Sequence, residues 1–315
     1  MAMPVEMIDD YQERTKLFRY RVFFIAIGTL LGVGAAQRVA ELFGGGAEGY
    51  AGMGIVYGAA ICVFMALSFF GTAGAPSTGR SAVRLSFSEQ LRTGLRNAPF
   101  AALLGTKFTQ LFGLFTSNAM LVYVVAYVLG HDEPGKWMLY FTVAGAVGQV
   151  ASIPMWNAIA RRLEKQRTYG LATVLYCGMS LTWLLATHAE PLWFFCFRGL
   201  LKGCAASGLL LMGQSMLPDT IEYDQRRTGL QRAGIFSGLY SLVEKVAATF
   251  APAILLFTYA WFGFDSKAQT QSAASIEGIR LAAAALPCLY FLASFVPLYF
   301  YRLTARELAS APRIA

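Results

Sequence analysis

The sequence predicts an all-α polytopic membrane protein with about eight transmembrane helices and both termini in the cytoplasm. Three observations carry that expectation. Hydrophobic residues make up 56% of the 315 positions and charged residues 14%, with a mean hydropathy of +0.50, far too apolar for a water-soluble domain of ordinary composition. Apolar windows of the roughly 20 residues needed to cross a bilayer core recur along the chain. The basic residues between those windows fall on alternate connections.

Met1 to Tyr20 is polar, acidic before it turns basic, and lacks the apolar core of a cleavable signal peptide, so insertion is expected to begin with the first span. The expected spans are Val22 to Leu42, Tyr50 to Phe70, Phe100 to Val128, Trp137 to Ala158, Thr168 to Ala186, Pro191 to Leu211, Ile235 to Phe257 and Leu281 to Phe300. Gly, Ala, Leu and Phe dominate them, as close helix packing in lipid requires. Between the second and third spans lies a connection from Gly71 to Ala98. It opens as a flexible Gly/Ser/Pro linker and ends in a segment where Leu91 and Leu95 are four apart beside Arg92 and Arg96, the pattern of a short amphipathic helix at the membrane surface. The expected organisation is therefore residues 1–70 as a cytoplasmic N-terminus with two helices, 71–98 as an inter-bundle linker, 99–303 as a six-helix bundle and 304–315 as a cytoplasmic tail.

Orientation follows from retention of Lys and Arg on the cytoplasmic side. Eighteen basic residues, from Arg14 to Arg21, Arg80 to Arg96, Arg161 to Arg167, Arg226 to Arg232 and Arg302 to Arg313, fall on one side. Lys136, Lys267 and Arg280 alone fall on the other. The net charge of +8 then reflects topology and gives no footprint for nucleic acid. All five cysteines sit inside expected spans without metal-ligand spacing, and His131 and His188 lie in outer loops far apart in sequence, so no metal site, cofactor or enzyme chemistry is expected. No nucleotide-binding loop is present.

A charge near the bilayer centre costs roughly 2.5–3.5 kcal/mol on insertion scales, so each needs a reason. Arg38, three residues before Glu41, reads as a surface ion pair; Lys107, two turns from the inner end of its span, can snorkel. Arg198 and Lys202 share a helix face, Lys202 roughly 16 Å from the outer end. Glu244 and Lys245 lie mid-span and point about 100° apart, so one is expected to line a pathway and the other to pair between helices, while Ser241 shares the Lys245 face. An interhelical salt bridge with no ligand is the alternative. Five basic side chains within the spans (Arg38, Lys107, Arg198, Lys202 and Lys245) thus face one acidic one, which predicts that carboxylates come from elsewhere: absent helices, a partner chain or an anionic substrate.

The segment MLPDTIEYDQRRTGLQRAGIFSGLYSLVEKVAATFAPAIL, Met216 to Leu255, resembles the signature region of the glycoside-pentoside-hexuronide:cation symporters, melibiose carrier-like members of the major facilitator superfamily. DDYQERTKLFRYR from Asp9, LRNAPF from Leu95, EGIRLAAAALP from Glu277 and LYFYRL from Leu298 agree with it. DYQERT is similar to the family's loop between helices four and five, so the resemblance implies helices five to twelve of a twelve-helix fold, without the carboxylates of the family's cation site. It implies a sugar contact at Arg21, a solute and cation site at Lys245 with Ser241, and a cytoplasmic gate at Asp219, Glu222 and Arg232. The sequence departs from the family pattern at Leu210 and at Asp224, Gln225 and Arg226, so melibiose itself is not implied. PMWNAIARRLEKQR is loosely similar to a basic cytoplasmic loop motif of the superfamily.

The expected function is cation-coupled secondary transport of a sugar, glycoside or related polar solute across a bacterial-type inner membrane, by alternating access around a midplane site. The expected partners are the bilayer, the solute, a coupling sodium ion or proton, and a chain that supplies missing helices. Gln110, Asn118 and Gln149 join Ser241, Glu244 and Lys245 as candidate solute contacts, each with helix-packing hydrogen bonds as the bland reading. A scaffold that has lost transport and an incomplete gene product are the rival readings.

Overall fold

The computed structural model describes residues 24–25, 27–28, 30–74, 86–131, 133–188, 190–230, 232–266, 268, 270–303 and 307. Arg21 and most of the Gly71 to Ala98 linker's first part lie outside them. The described structure is helical, with seven helices long and apolar enough to cross a membrane: Gly46–Thr72, Ala98–Val128, Pro134–Arg162, Lys165–Leu185, Leu192–Thr228, Ala233–Trp261 and Ala273–Phe300. These correspond to the second through eighth expected spans. The described part of the first is a π-helical turn, Leu30–Gly34, followed by α1, Ala36–Leu42.

The chain divides into two compact units, Met1–Ser81 with Gly135–Val143, and Ala82–Pro134 with Ala144–Ala315. In the first, α1 packs on α2 (Gly46–Thr72) where Gly49 lets the helix backbone approach the Ala40 carbonyl and Gly52 seats the Phe43 ring. Arg38 pairs with Glu41 at 3.0 Å, the surface ion pair that their spacing predicts. Ile55, Phe64, Phe69 and Phe70 of α2 are exposed, as side chains facing lipid would be.

The second unit holds α3 (Phe87–Arg96), α4 (Ala98–Tyr123, extended by a π-helical turn over Val124–Val128), the later part of α5 (Pro134–Arg162), α6 (Lys165–Leu181), α7 (Leu192–Thr228), α8 (Ala233–Trp261), α9 (Ala273–Ala293) and α10 (Phe295–Phe300). A capping box starts α3: the Ser86 hydroxyl accepts from the Glu89 amide while the Glu89 carboxylate accepts from the Ser86 amide. Asn97 ends α3 and caps α4, its Oδ1 accepting from the Phe100 amide at 3.1 Å, with Pro99 in the first turn where a missing N–H costs nothing. The core runs through Phe100, Tyr169, Tyr176, Met212, Met216, Phe236, Tyr240, Phe291 and Tyr301, contributed by α4 and α6 to α9 and by the residue after α10.

Helices α5 and α7 cross backbone to backbone. A Cβ on Gly203 would overlap the Gly145 carbonyl, and one on Gly148 would overlap the Leu200 carbonyl, so only glycine permits the approach. Trp156 closes the crossing by donating its indole N–H to the Cys204 carbonyl at 2.8 Å.

Two expectations are corrected. The helix of the sixth span does not stop at Leu211: α7 runs on to Thr228, 37 residues in all, and Gly229 at φ +68° ends it in the left-handed conformation that favours glycine. Asp224, Gln225 and Arg226, where the sequence departs from the family pattern, therefore lie in the last turns of a helix. Likewise PMWNAIARR is the end of α5, and only Leu163 and Glu164 separate it from α6.

Candidate functional site

The candidate residues fall into four places. On α8, Gly234, Gly238, Ser241, Lys245 and Thr249 are exposed and lie on one stripe, successive members three or four residues apart. Large apolar residues of the same helix, among them Leu242, Phe250 and Phe257, are exposed beside that stripe. Glu244 is half-buried. Among the described residues none of Ser241, Glu244 or Lys245 makes a side-chain hydrogen bond or ion pair, so the interhelical pairing expected for one of the two charges is not observed.

The second place is a buried polar cluster where α4, α6, α7 and α8 meet. Lys107 is 5% exposed and its Nζ lies 5.6 Å from the Tyr240 ring centre. Its ammonium does not snorkel to an end of the span: a Cβ on Gly213 would lie 3.4 Å from the Tyr240 hydroxyl and 3.7 Å from Lys107 Nζ, so both converge on α7 where it has no side chain. Gln110, fully buried, accepts a short hydrogen bond from the Tyr169 hydroxyl, and its Nε2 has no partner among the described residues.

Lys202 and Asn118 form the third. Lys202 Nζ donates to Asn118 Oδ1 at 2.8 Å and to the Ser117 carbonyl at 3.4 Å, while the Ser117 hydroxyl accepts from Tyr176 at 3.0 Å. Lys202 is half-buried, and α4 supplies the polar groups that its stem alone would not reach. Gln149 on α5 is half-buried with no side-chain hydrogen bond, beside the glycine crossing.

Arg198 stands apart. It is fully buried, its guanidinium bonds both Glu190 carboxylate oxygens at 2.5 Å, and Thr182 accepts from Nε at 3.1 Å and from a terminal nitrogen at 2.9 Å. Trp183 and Phe194 lie 4.7 and 4.5 Å from the guanidinium carbon. Every direction around Arg198 is filled, which makes it a structural residue. The missing carboxylate sits eight residues earlier, in the turn before α7, and a count restricted to the spans overlooks it. Burial pushes the Glu190 carboxyl above its ordinary range, against the opposing pull of Arg198.

The gate candidates do not form one cluster. Asp219 pairs with Lys165 of α6 at 2.5 Å, and the same ammonium donates to the Ser215 carbonyl, three residues before Pro218 inside the continuous helix. Glu222 pairs with Arg226 one turn on at 2.6 Å. Arg232 pairs with Asp224, Nε and a terminal nitrogen donating at 3.0 and 2.9 Å, and Asn97 Nδ2 reaches the same carboxylate at 3.4 Å. Lys165, Asp224 and Asn97 were not among the candidates. The glycine that ends α7 was the available signal, since it turns the chain back and brings Arg232 over the last helical turn.

His188 packs against Gly130, next to His131, so the fold brings the two connections together. Among the described residues no group of histidine, cysteine and acidic side chains could hold a metal ion.

A chain of long apolar helices with polar groups on facing helices is the architecture that a carrier requires, and the comparison with known families decides which one: the family described as MFS/sugar transport protein matches residues 1–305. The chain belongs to that family. Members of the MFS/sugar transport family are transporters rather than enzymes, and this member is a multi-pass membrane protein. It is similar to the glucuronide carrier protein homolog of Escherichia coli (strain K12), 27% identical over 236 residues, covering 73% of this chain and 50% of that protein. An uncharacterized symporter, sll1374, of Synechocystis sp. is 25% identical over 226 residues, 70% of this chain and 41% of that protein. The isoprimeverose transporter of Lactiplantibacillus pentosus is 22% identical over 303 residues, 94% of this chain and 62% of that protein. The chain spans about half the length of the first two relatives.

Proposed function

We propose that this chain takes part in carrying a sugar or glycoside across a bacterial inner membrane together with a sodium ion or proton, by alternating access, with Ser241 and Lys245 lining the solute pathway. The α8 stripe carries the reading. A cation on a membrane helix is tolerated where it faces a water-filled cavity or a partner, and Lys245 is exposed with no partner among the described residues, on a stripe of glycine and hydroxyl residues. Glycines at 234 and 238 keep that side narrow, which leaves room for a solute between helices. The names of relatives as a glucuronide carrier homolog, a symporter and a transporter of isoprimeverose agree with a sugar-type solute and with cation coupling. Three separate ion pairs towards the end of α7, Lys165–Asp219, Arg226–Glu222 and Arg232–Asp224, serve as the cytoplasmic charges that open and close with the transport cycle. A chain supplying further helices is a proposed partner.

The test is uptake of labelled glycosides, pentoses and hexuronates into proteoliposomes, with and without an imposed sodium or proton gradient. Lys245→Ala is expected to abolish gradient-driven accumulation. Normal accumulation by that variant would remove the pathway assignment.

A further inference from the structure

Beside α3 the structure has an open cleft of about 280 Å³, lined by Thr93 and Arg96 of α3, Asn97, Tyr223, Asp224, Arg227 and Thr228 of α7, and Arg232. Three guanidinium groups and one carboxylate face it, and the carboxylate is already committed: Asp224 is held by Arg232 and by the Asn97 amide. Arg227 makes only a stacking contact, 5.5 Å from the centre of the Tyr223 ring, and a long hydrogen bond to its hydroxyl at 3.4 Å. Among the described residues Arg96 has no ion pair and Thr93 no hydrogen-bond partner. Two cations and a hydroxyl therefore line a concave space in which, among the described residues, the one carboxylate is taken up by Arg232 and Asn97.

The position of the cleft says where an anion would come from. Its walls are α3, Asn97 just before the Ala98–Val128 helix, the last turns of the Leu192–Thr228 helix and the residue before the Ala233–Trp261 helix, so the cleft lies at the ends of three long apolar helices. On α3, Leu91 and Leu95 are exposed at 36% and 53%, one turn apart, giving the helix that forms one wall an apolar edge for the interface.

We propose that this cleft binds a phosphate group, held in a fork by Arg96 and Arg227 with the Thr93 hydroxyl as third donor. Arginine suits this role because its planar fork matches phosphate oxygens. The phosphate of an anionic lipid headgroup and a soluble phosphate share the chemistry. The inference goes beyond transport and stands or falls without reference to it.

The test is native mass spectrometry of the full chain in detergent, titrated separately with phosphatidylglycerol, phosphatidylcholine and inorganic phosphate. One phosphatidylglycerol is expected to remain bound with about a tenfold preference over phosphatidylcholine, from two arginines at the membrane surface. The exposed pair Arg96→Gln with Arg227→Gln should lose the preference without a change in thermal unfolding, and Arg96→Lys with Arg227→Lys should keep part of it. Saturable binding of inorganic phosphate that the glutamine pair abolishes, with no lipid preference, supports the site with a soluble ligand. The control pair Arg161→Gln with Arg162→Gln, at the end of α5, should change nothing. Equal loss in the control, or retention of the preference by the glutamine pair, overturns the proposal.

Discussion

Separating Arg198 from Glu190 should cost far more than removing both. With Glu190→Leu, Arg198 loses the one carboxylate it meets among the described residues while staying fully buried between Trp183 and Phe194. An unpaired buried charge costs about 3–5 kcal/mol. Because two hydrogen bonds to Thr182 survive, the lower end of that range applies. With Arg198→Met the carboxyl is left behind, and burial already raises its pKa, so it can protonate. A carboxyl raised in the folded state stabilises below its unfolded pKa and loses that contribution as pH rises through the folded value. Arg198→Met should therefore unfold at a higher temperature at pH 5 than at pH 8. The double variant exchanges an expensive ion pair for apolar packing and should come within about 1–2 kcal/mol of the parent. Thermal unfolding of the four proteins in one detergent reads the cycle. At about 2–4 °C per kcal/mol for a domain of 150–250 residues, each single variant should fall by roughly 6–12 °C, with a coupling energy of about 3 kcal/mol or more. Additive losses would show that the pair is not coupled and that the account of Arg198 is wrong.

Gly203→Ala should destabilise by at least about 1–3 kcal/mol, since the added methyl overlaps the Gly145 carbonyl and forces α5 and α7 apart; Gly178→Ala, at a glycine with open space around it, is the control in the same unfolding assay. The capping box of α3 should fail in acid. Hydrogen bonds from the Ser86 backbone and side chain hold the Glu89 carboxyl below its ordinary 4.5, so the contribution is present above the ordinary pKa and lost as pH falls through the lowered one. Amide exchange in α3, normalised for its intrinsic pH dependence, should show protection falling in that window, and Glu89→Gln should show no such step.

The spans were legible because the bilayer imposes a length and a polarity that one sequence displays without help. The end of α7 was not. Hydropathy stops at Leu211, but helical hydrogen bonding does not require lipid, and the polar tail supports itself with the Glu222–Arg226 and Tyr223–Arg227 spacings. Ser241 and Lys245 were readable as one face because that face is a property of a single helix. Partners across helices were not: Lys202 with Asn118, Lys107 with Tyr240 and Gln110 with Tyr169 depend on which helices are neighbours. Arg198 with Glu190 was missed for a different reason, since the acid lies just outside the apolar window that defined the search.

At about 1.5 Å per residue, the 37 residues of α7 reach roughly 55 Å, nearly twice the apolar thickness of a bilayer. Pinned at Gly199 and Gly203 by the backbone crossing, the helix is a lever with its fulcrum inside the membrane. A tilt of about 10° at the fulcrum would carry Asp224, some 32 Å further along, through about 5 Å. That displacement exceeds the reach of a hydrogen bond, so a small tilt at the crossing would be enough to part Asp224 from Asn97.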